Sequence, residues 1–175
     1  MTGTLFPVSA GDVAQTSNEW YTPPWIFKAA KIRFDMDVCA PTDPDYRTCP
    51  AAHYLTVLED GLTAPWAGLV WMNPPYTNLA AWGQRWASHP AGMALVPSTR
   101  SPGVTAVIGA ADSIALLGNG LEFIRPGMKD AGHLQWTCIL AARGQLASHA
   151  LRQVAWEFGT RAWEAVWPEI LEQFP

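Results

Sequence analysis

The run Asn73-Pro74-Pro75-Tyr76 follows directly on the apolar stretch GLVWM at 68–72 and gathers unusual chemistry into four residues. Pro74 biases the backbone of Asn73 toward an extended form. The two fixed prolines direct the Asn73 side-chain oxygen and the Pro74 carbonyl into one cleft, while Tyr76 offers a flat ring for stacking. Two acceptors beside an aromatic face suit a planar NH2 group. Such a group is a poor nucleophile because its lone pair is delocalised, and acceptors on its hydrogens favour the pyramidal, positively charged form reached during alkylation. The exocyclic amine of adenine, in DNA or RNA, and the side-chain amide of glutamine all fit, so the four residues alone leave the substrate open.

Carboxylates form the second candidate group. Phe34, Met36 and Val38 alternate with Asp35 and Asp37 and lead into Cys39 and Ala40. Residues 33–40 are therefore expected to form a strand with Asp37 near its carboxyl end, where open α/β sheets hold ligands. Asp35 is expected to face solvent or cap a neighbouring helix.

The elements that must position these groups follow from periodicity. Pro23 and Pro24 open a short helix that ends near Lys31. Residues 41–65, with prolines at 41, 44, 50 and 65, are expected to form a long irregular excursion rather than a crossover helix. Apolar runs at 68–72, 93–96, 114–117, 121–124 and 134–142 complete about six strands with the first. A helix carrying Leu79, Trp82 and Trp86 follows the Asn-Pro-Pro-Tyr run. Beyond Gly144, Leu151, Val154, Ala155 and Phe158 recur at helical spacing, and Ala162, Val166, Ile170 and Leu171 continue it with a break at Pro168.

Composition bounds the rest. A chain of 175 residues, 49% hydrophobic and 15% charged, is sized for one compact domain and argues against disorder. Its net charge of −4 excludes nucleic-acid affinity driven by overall positive charge, so any such contact must be local. Cys39, Cys49 and Cys138 read as reduced thiols. Together with His53 they lack the paired short spacings of a zinc site, and no metal is assigned. His53, His89, His133 and His149 read as structural. No basic segment precedes an apolar run at the start, and prolines and asparagines break the uncharged stretch after Gly61, so neither secretion nor a membrane is expected and the cytoplasm is the expected compartment. Most of the ten tryptophans are expected in the core, with Trp156, Trp163 and Trp167 as candidates for an exposed homodimer face on the C-terminal helices.

Four segments in order carry a resemblance: Glu19-Trp20-Tyr21-Thr22-Pro23-Pro24, then 34–40, then Glu59-Asp60-Gly61-Leu62, then Val70-Trp71-Met72 with the Asn-Pro-Pro-Tyr run. Together they resemble phage-type, Dam-like DNA N6-adenine methyltransferases over residues 18–143, in an order similar to the gamma-type arrangement. The resemblance implies a single α/β domain of Rossmann-like methyltransferase fold with a mainly parallel sheet. Residues 1–18 would form a leader, 19–143 the catalytic domain and 144–175 a helical extension of it. It also implies S-adenosylmethionine as cofactor and DNA as partner, with the target base flipped out. Carried over, Asp37, followed by Cys39 and Ala40, would meet the methionine part of the cofactor, with Trp20 and Thr22 closing that end. Asp60, Gly61 and Leu62 would meet its adenosine. Asn73, Pro74, Pro75 and Tyr76 would receive the target base. The family tends to carry basic residues, expected to contact DNA, around the turns at 97–100 and 118–121; here Arg100 stands in the first, with Arg125 and Lys129 nearby in sequence, and a phage-encoded enzyme would work in the host cytoplasm. One departure is plain: Asp37-Val38-Cys39-Ala40-Pro41 has no Gly-x-Gly turn.

Overall fold

Pro24 opens the first helix because its fixed φ suits the first turn and its missing N–H would have had no helical partner there. That helix, α1 (Pro24–Ala30), closes on Lys31 in the left-handed conformation, whose N–H returns to the Phe27 carbonyl. The computed structural model describes residues 20–118, 121–124, 132–133 and 137–164. After α1 come β1 (Phe34–Asp37), a 3-10 turn at Pro44–Tyr46, β2 (Ala51–Tyr54), β3 (Val70–Met72), α2 (Leu79–Ser88) and β4 (Gly92–Pro97). They are followed by α3 (Pro102–Ala110), β5 (Ser113–Leu117), β6 (Glu122–Phe123), β7 (Gly132–His133), β8 (Cys138–Arg143), α4 (Gln145–Phe158) and β9 (Ala162–Glu164).

Seven strands form one sheet in the order β2-β1-β3-β4-β8-β5-β9, while β6 and β7 pair separately. Alternation along the strands sends Trp71, Met93, Leu95, Leu117 and Leu140 to the face covered by α1 and α4. Val70, Met72, Ala94, Val96 and Ile139 go to the opposite face, under Trp82 and Trp86 of α2 and Val104 and Val107 of α3. The sheet is thus the middle of three layers. Helices α2 and α3 approach closely at a pair of glycines: a Cβ on Gly83 would lie 2.1 Å from the Gly103 carbonyl oxygen.

The α/β class matches expectation, but the sheet is mixed rather than mainly parallel. Pairings from β2 through β1 and β3 to β4 are parallel, whereas β4–β8, β8–β5 and β5–β9 are antiparallel. The reason lies in the connection. Cys138, the first residue of β8, pairs with Leu117, the last of β5, so the chain re-enters the sheet at the edge it has just left. A parallel return needs a crossover, usually a helix, to carry the chain back to the other edge.

Three further expectations change. The excursion at 41–65 contains β2, a four-residue strand that adds to the outer side of β1 with Phe34 opposite Ala51. Residues 102–110 form α3, started by Ser101, whose hydroxyl accepts from the Val104 N–H at 3.3 Å. Its two glycines and four β-branched residues make a weak helix sequence, and packing on α2 compensates. Finally, the helical spacing at 144–175 holds only through α4. Gly159, at φ 76°, ends the helix in the left-handed conformation, and residues Ala162–Glu164 form an edge strand with Trp163 opposite Ile114. Val166, Trp167, Ile170 and Leu171 lie outside the described residues, as do residues 1–19. Trp156 is 83% exposed on α4 and Trp163 47% exposed on β9, while Trp71, Trp82 and Trp86 are core residues. Among the described residues no helix is long and apolar enough to cross a membrane.

Candidate active site

The order of the first three strands creates an opening. From β1 the chain crosses to β2 on one side, then returns past β1 to β3 on the other, and such a switch leaves a crevice outside the strands' carboxyl ends. Asp37 is the last residue of β1, and Asn73 immediately follows β3. A cavity of about 400 Å³ opens there, lined by Trp20, Thr22, Asp37, Cys39, Asp60, Gly61, Leu62, Asn73, Tyr76 and their neighbours. The switch point therefore brings all four sequence segments to one place.

Asn73 is half-buried, and its amide orientation is fixed. Its Nδ2 donates to the Trp20 carbonyl at 2.7 Å and to the Thr22 hydroxyl at 3.1 Å. A carbonyl only accepts, so the atom facing Trp20 must be the nitrogen. The side-chain oxygen is thereby left for the other side. Pro74 is buried, and Pro75, in extended conformation, leads into a single 3-10 turn at Tyr76–Asn78. The Tyr76 ring lines the cavity, but its hydroxyl is buried against the Cys138 thiol at the start of β8, without a hydrogen bond of normal geometry. Burial pushes the Tyr76 hydroxyl well above its ordinary pKa, so it stays protonated.

Asp37 is 4% exposed. Burial pushes its carboxyl up to about 7, against a weaker opposing pull from the Cys39 N–H, which donates to it at 3.2 Å, and from the Arg47 guanidinium. A carboxylate held this way in a cavity wall is ready for a cation. An ammonium group would restore its charge, so the residue fits the amino end of an amino-acid moiety. Burial also raises the Cys39 and Cys49 thiols, reinforced by the neighbouring Asp37, so both are held in the neutral thiol form.

The Asp60 segment wraps the cavity's other end. Asp60 adopts φ 51°, and its carboxylate accepts from the Leu62 N–H at 3.1 Å and the Thr63 hydroxyl at 3.0 Å. These bonds hold the turn and leave lone pairs facing outward. Gly61 is needed for close approach, because a Cβ there would lie 2.1 Å from the Val38 carbonyl oxygen. The turn is tied further by the Thr56 N–H and hydroxyl, which donate to Glu59 at 2.8 and 2.6 Å. Leu55, Val57 and Leu62 line this end with apolar surface beside Asp60, a combination that suits an adenosine. Buried Asp37 at one end and this apolar, acceptor-bearing wall at the other fit S-adenosylmethionine.

Other candidates separate. Ala40 is buried, its N–H held by the Leu55 carbonyl at 2.8 Å. Asp35 does not cap a helix; it accepts from the Leu69 N–H at 2.6 Å, docking the start of β3 on β1. Arg100 is exposed in the turn between β4 and α3, at the same sheet edge but outside the cavity lining. Arg125 and Lys129 lie outside the described residues. His89 is structural, with Nε2 2.8 Å from the Gly68 carbonyl oxygen.

Sequence reasoning missed two supporting residues. The Thr48 hydroxyl donates to the Thr22 carbonyl at 2.7 Å. Arg47 donates from Nε to the Pro41 carbonyl at 3.0 Å and from an Nη to the Thr42 carbonyl at 3.2 Å, stacking over the Tyr54 ring. Thr48 acts on backbone 26 residues away, whereas Arg47 closes its own loop on carbonyls five and six residues back.

The family model for DNA N-6-adenine-methyltransferase (Dam) matches residues 12–140. The chain is also similar to the DNA N-6-adenine-methyltransferase of Haemophilus phage HP1 (strain HP1c1), with 41% identity over 64 residues, or 34% of this chain. That stretch spans 35% of the relative's length. With a model match that spans most of the chain and contains the whole cavity lining, the protein belongs to the Dam family of DNA N-6-adenine-methyltransferases.

Proposed function

We propose that this protein transfers the methyl group of S-adenosylmethionine to N6 of adenine in DNA, through a Rossmann-like methyltransferase domain at 19–143 with 144–175 as an extension of that domain. The observation that carries the reading is the amide of Asn73, whose nitrogen is held by Trp20 and Thr22 in the wall of the crevice that buried Asp37 also lines. In this reading Asp37 takes the cofactor's ammonium and Asp60 its adenosine, with Gly61, Leu62, Cys39 and Ala40 shaping the walls between. Bound S-adenosylmethionine would supply an electrophilic methyl group on sulfur.

The protein's own part is positioning and charge. Asn73 Oδ1 and the Pro74 carbonyl accept the two N6 hydrogens, which pulls the nitrogen lone pair out of the ring and stabilises the positive charge that develops on N6. The amino group is thereby held in line for direct displacement, without a covalent enzyme intermediate. Tyr76 stacks on the base and offsets part of the few kcal/mol spent in flipping it from the duplex. Methylated N6 is acidic, and its proton leaves to solvent, so no side-chain base is required.

The test is methyl transfer from labelled S-adenosylmethionine to unmethylated DNA, with RNA and protein extract in parallel. The expected product is N6-methyladenine in DNA. Label in RNA or in glutamine side chains instead would overturn the substrate assignment, and no label anywhere would overturn the activity.

A further inference from the structure

Asn73 is useful to an amino-group reader only in one orientation. With Oδ1 inward it accepts from an NH2, and with Nδ2 inward it donates to a keto oxygen. The two orientations have almost the same shape, so packing alone selects poorly between them. The selection comes from the Trp20 carbonyl, 53 positions earlier in the chain, which can only accept from Nδ2, and the Thr22 hydroxyl, 51 positions earlier, holds the same nitrogen in place.

That segment is itself clamped. Tyr21 exchanges two backbone hydrogen bonds with Ile124, both at 2.9 Å, and the Thr22 carbonyl receives the Thr48 hydroxyl at 2.7 Å. Thr22 is 4% exposed, so its side chain has no rotational freedom to spare. A hydrogen-bonded chain thus runs from Thr48 through Thr22 to Asn73, joining the excursion after β1 to the residue after β3. Resting on the proposed reading of Asn73 as acceptor for the target amine, we propose that the Trp20 carbonyl sets the Asn73 amide with its oxygen inward and that Thr22, held by Thr48, is a positioning residue that anchors the amide nitrogen there. The segment at 20–22 then makes the pocket select amino-bearing over keto-bearing bases. Thr22, which the resemblance assigns to the cofactor, acts in this account through Asn73.

The experiment compares the full-length protein with Thr22→Val, which keeps the shape but removes the acceptor, and Thr22→Ser, which keeps the hydroxyl. Two readouts are taken: the NMR signals of the Asn73 side-chain NH2, identified by their loss in Asn73→Ala, and the split between kcat on DNA and Kd for S-adenosylmethionine. In Thr22→Val the proton facing position 22 is expected to shift and exchange faster with water. The kcat is expected to fall about fivefold, the worth of one neutral hydrogen bond, with Kd unchanged. Thr22→Ser should restore both readouts. An Asn73 amide unmoved in Thr22→Val would overturn the proposal whatever the activity, and so would a loss of kcat that merely tracks cofactor affinity. Where wild-type protein methylates no DNA yet Thr22→Val moves the amide, the substrate reading falls and the positioning stands. Thr48→Val is the second variant, since it removes only the donor to the Thr22 carbonyl. It should move the same signals less, and unmoved signals there would break the relay.

Discussion

The two halves of the sheet end their strands differently. On the parallel side, β1 ends in Asp37 and β3 runs into Asn73, so polar groups point outward from a crevice that the crossing order opens. On the antiparallel side, β5 ends in Leu117 and β8 begins in Cys138, both fully buried and cross-paired. Among the described residues, the chain from β5 onward meets the site through Cys138 beneath Tyr76 and through Ile124, which pairs with Tyr21. Chemistry thus sits where strand order leaves a gap, and the half whose strands return on themselves serves as a wall.

That contrast can be broken by substitution. Leu117→Ala, deep in the antiparallel half, should cost about 2–5 kcal/mol of stability in thermal or denaturant unfolding. Cofactor affinity per folded molecule should stay unchanged, and a selective loss of affinity would mean the wall also shapes the pocket. Gly61→Ala, on the parallel side, should cost less, about 1–3 kcal/mol from overpacking against Val38. It should nevertheless weaken S-adenosylmethionine binding in calorimetry, because the turn must back away from β1. Wild-type affinity in that variant would separate the Asp60 turn from the site.

Asp37 sharpens the comparison through pH. Its carboxyl holds a proton up to about 7 in the folded protein against 3.8 as the ordinary value, so the folded state binds the proton more tightly. Without cofactor, this group's contribution to stability is therefore greatest below about 4 and declines as pH rises to about 7. Cofactor affinity should move the opposite way, falling about tenfold per unit below pH 7 because the ammonium needs the ionised form. Titrations from pH 5 to 9 would show this, and a flat profile would remove Asp37 from the cation site. The smallest effect is expected at the far edge, where Arg152 and Glu164 pair at 2.6 Å, both about half exposed. Arg152→Ala should change stability by less than about 1 kcal/mol, measured by thermal unfolding.

The sequence made the site more legible than its frame. Asn73-Pro74-Pro75-Tyr76 and the Asp37 strand announce themselves because local backbone restriction and alternation are properties of neighbouring residues. The clamp on Asn73 was hidden because its partners, Trp20 and Thr22, lie 53 and 51 residues away in the chain. Strand β2 was hidden among prolines, and α3 behind glycines that lower intrinsic helix propensity yet permit the α2 contact. The reversal of β8 was invisible because a buried strand shows the same apolar run in either direction. Ala162 fell on the helical spacing, but the open edge of β5 offered a ladder to pair with.

The most direct test of the central claim, that one crevice holds both cofactor and target amine, is a paired measurement on Asp37→Ala and Asn73→Ala. S-adenosylmethionine affinity is read by calorimetry and DNA methylation by label transfer. The account predicts that Asp37→Ala loses cofactor binding, while Asn73→Ala binds cofactor as wild type does and loses methyl transfer by at least about a hundredfold. Near-wild-type transfer by Asn73→Ala, or the loss of cofactor binding in both variants alike, would contradict it.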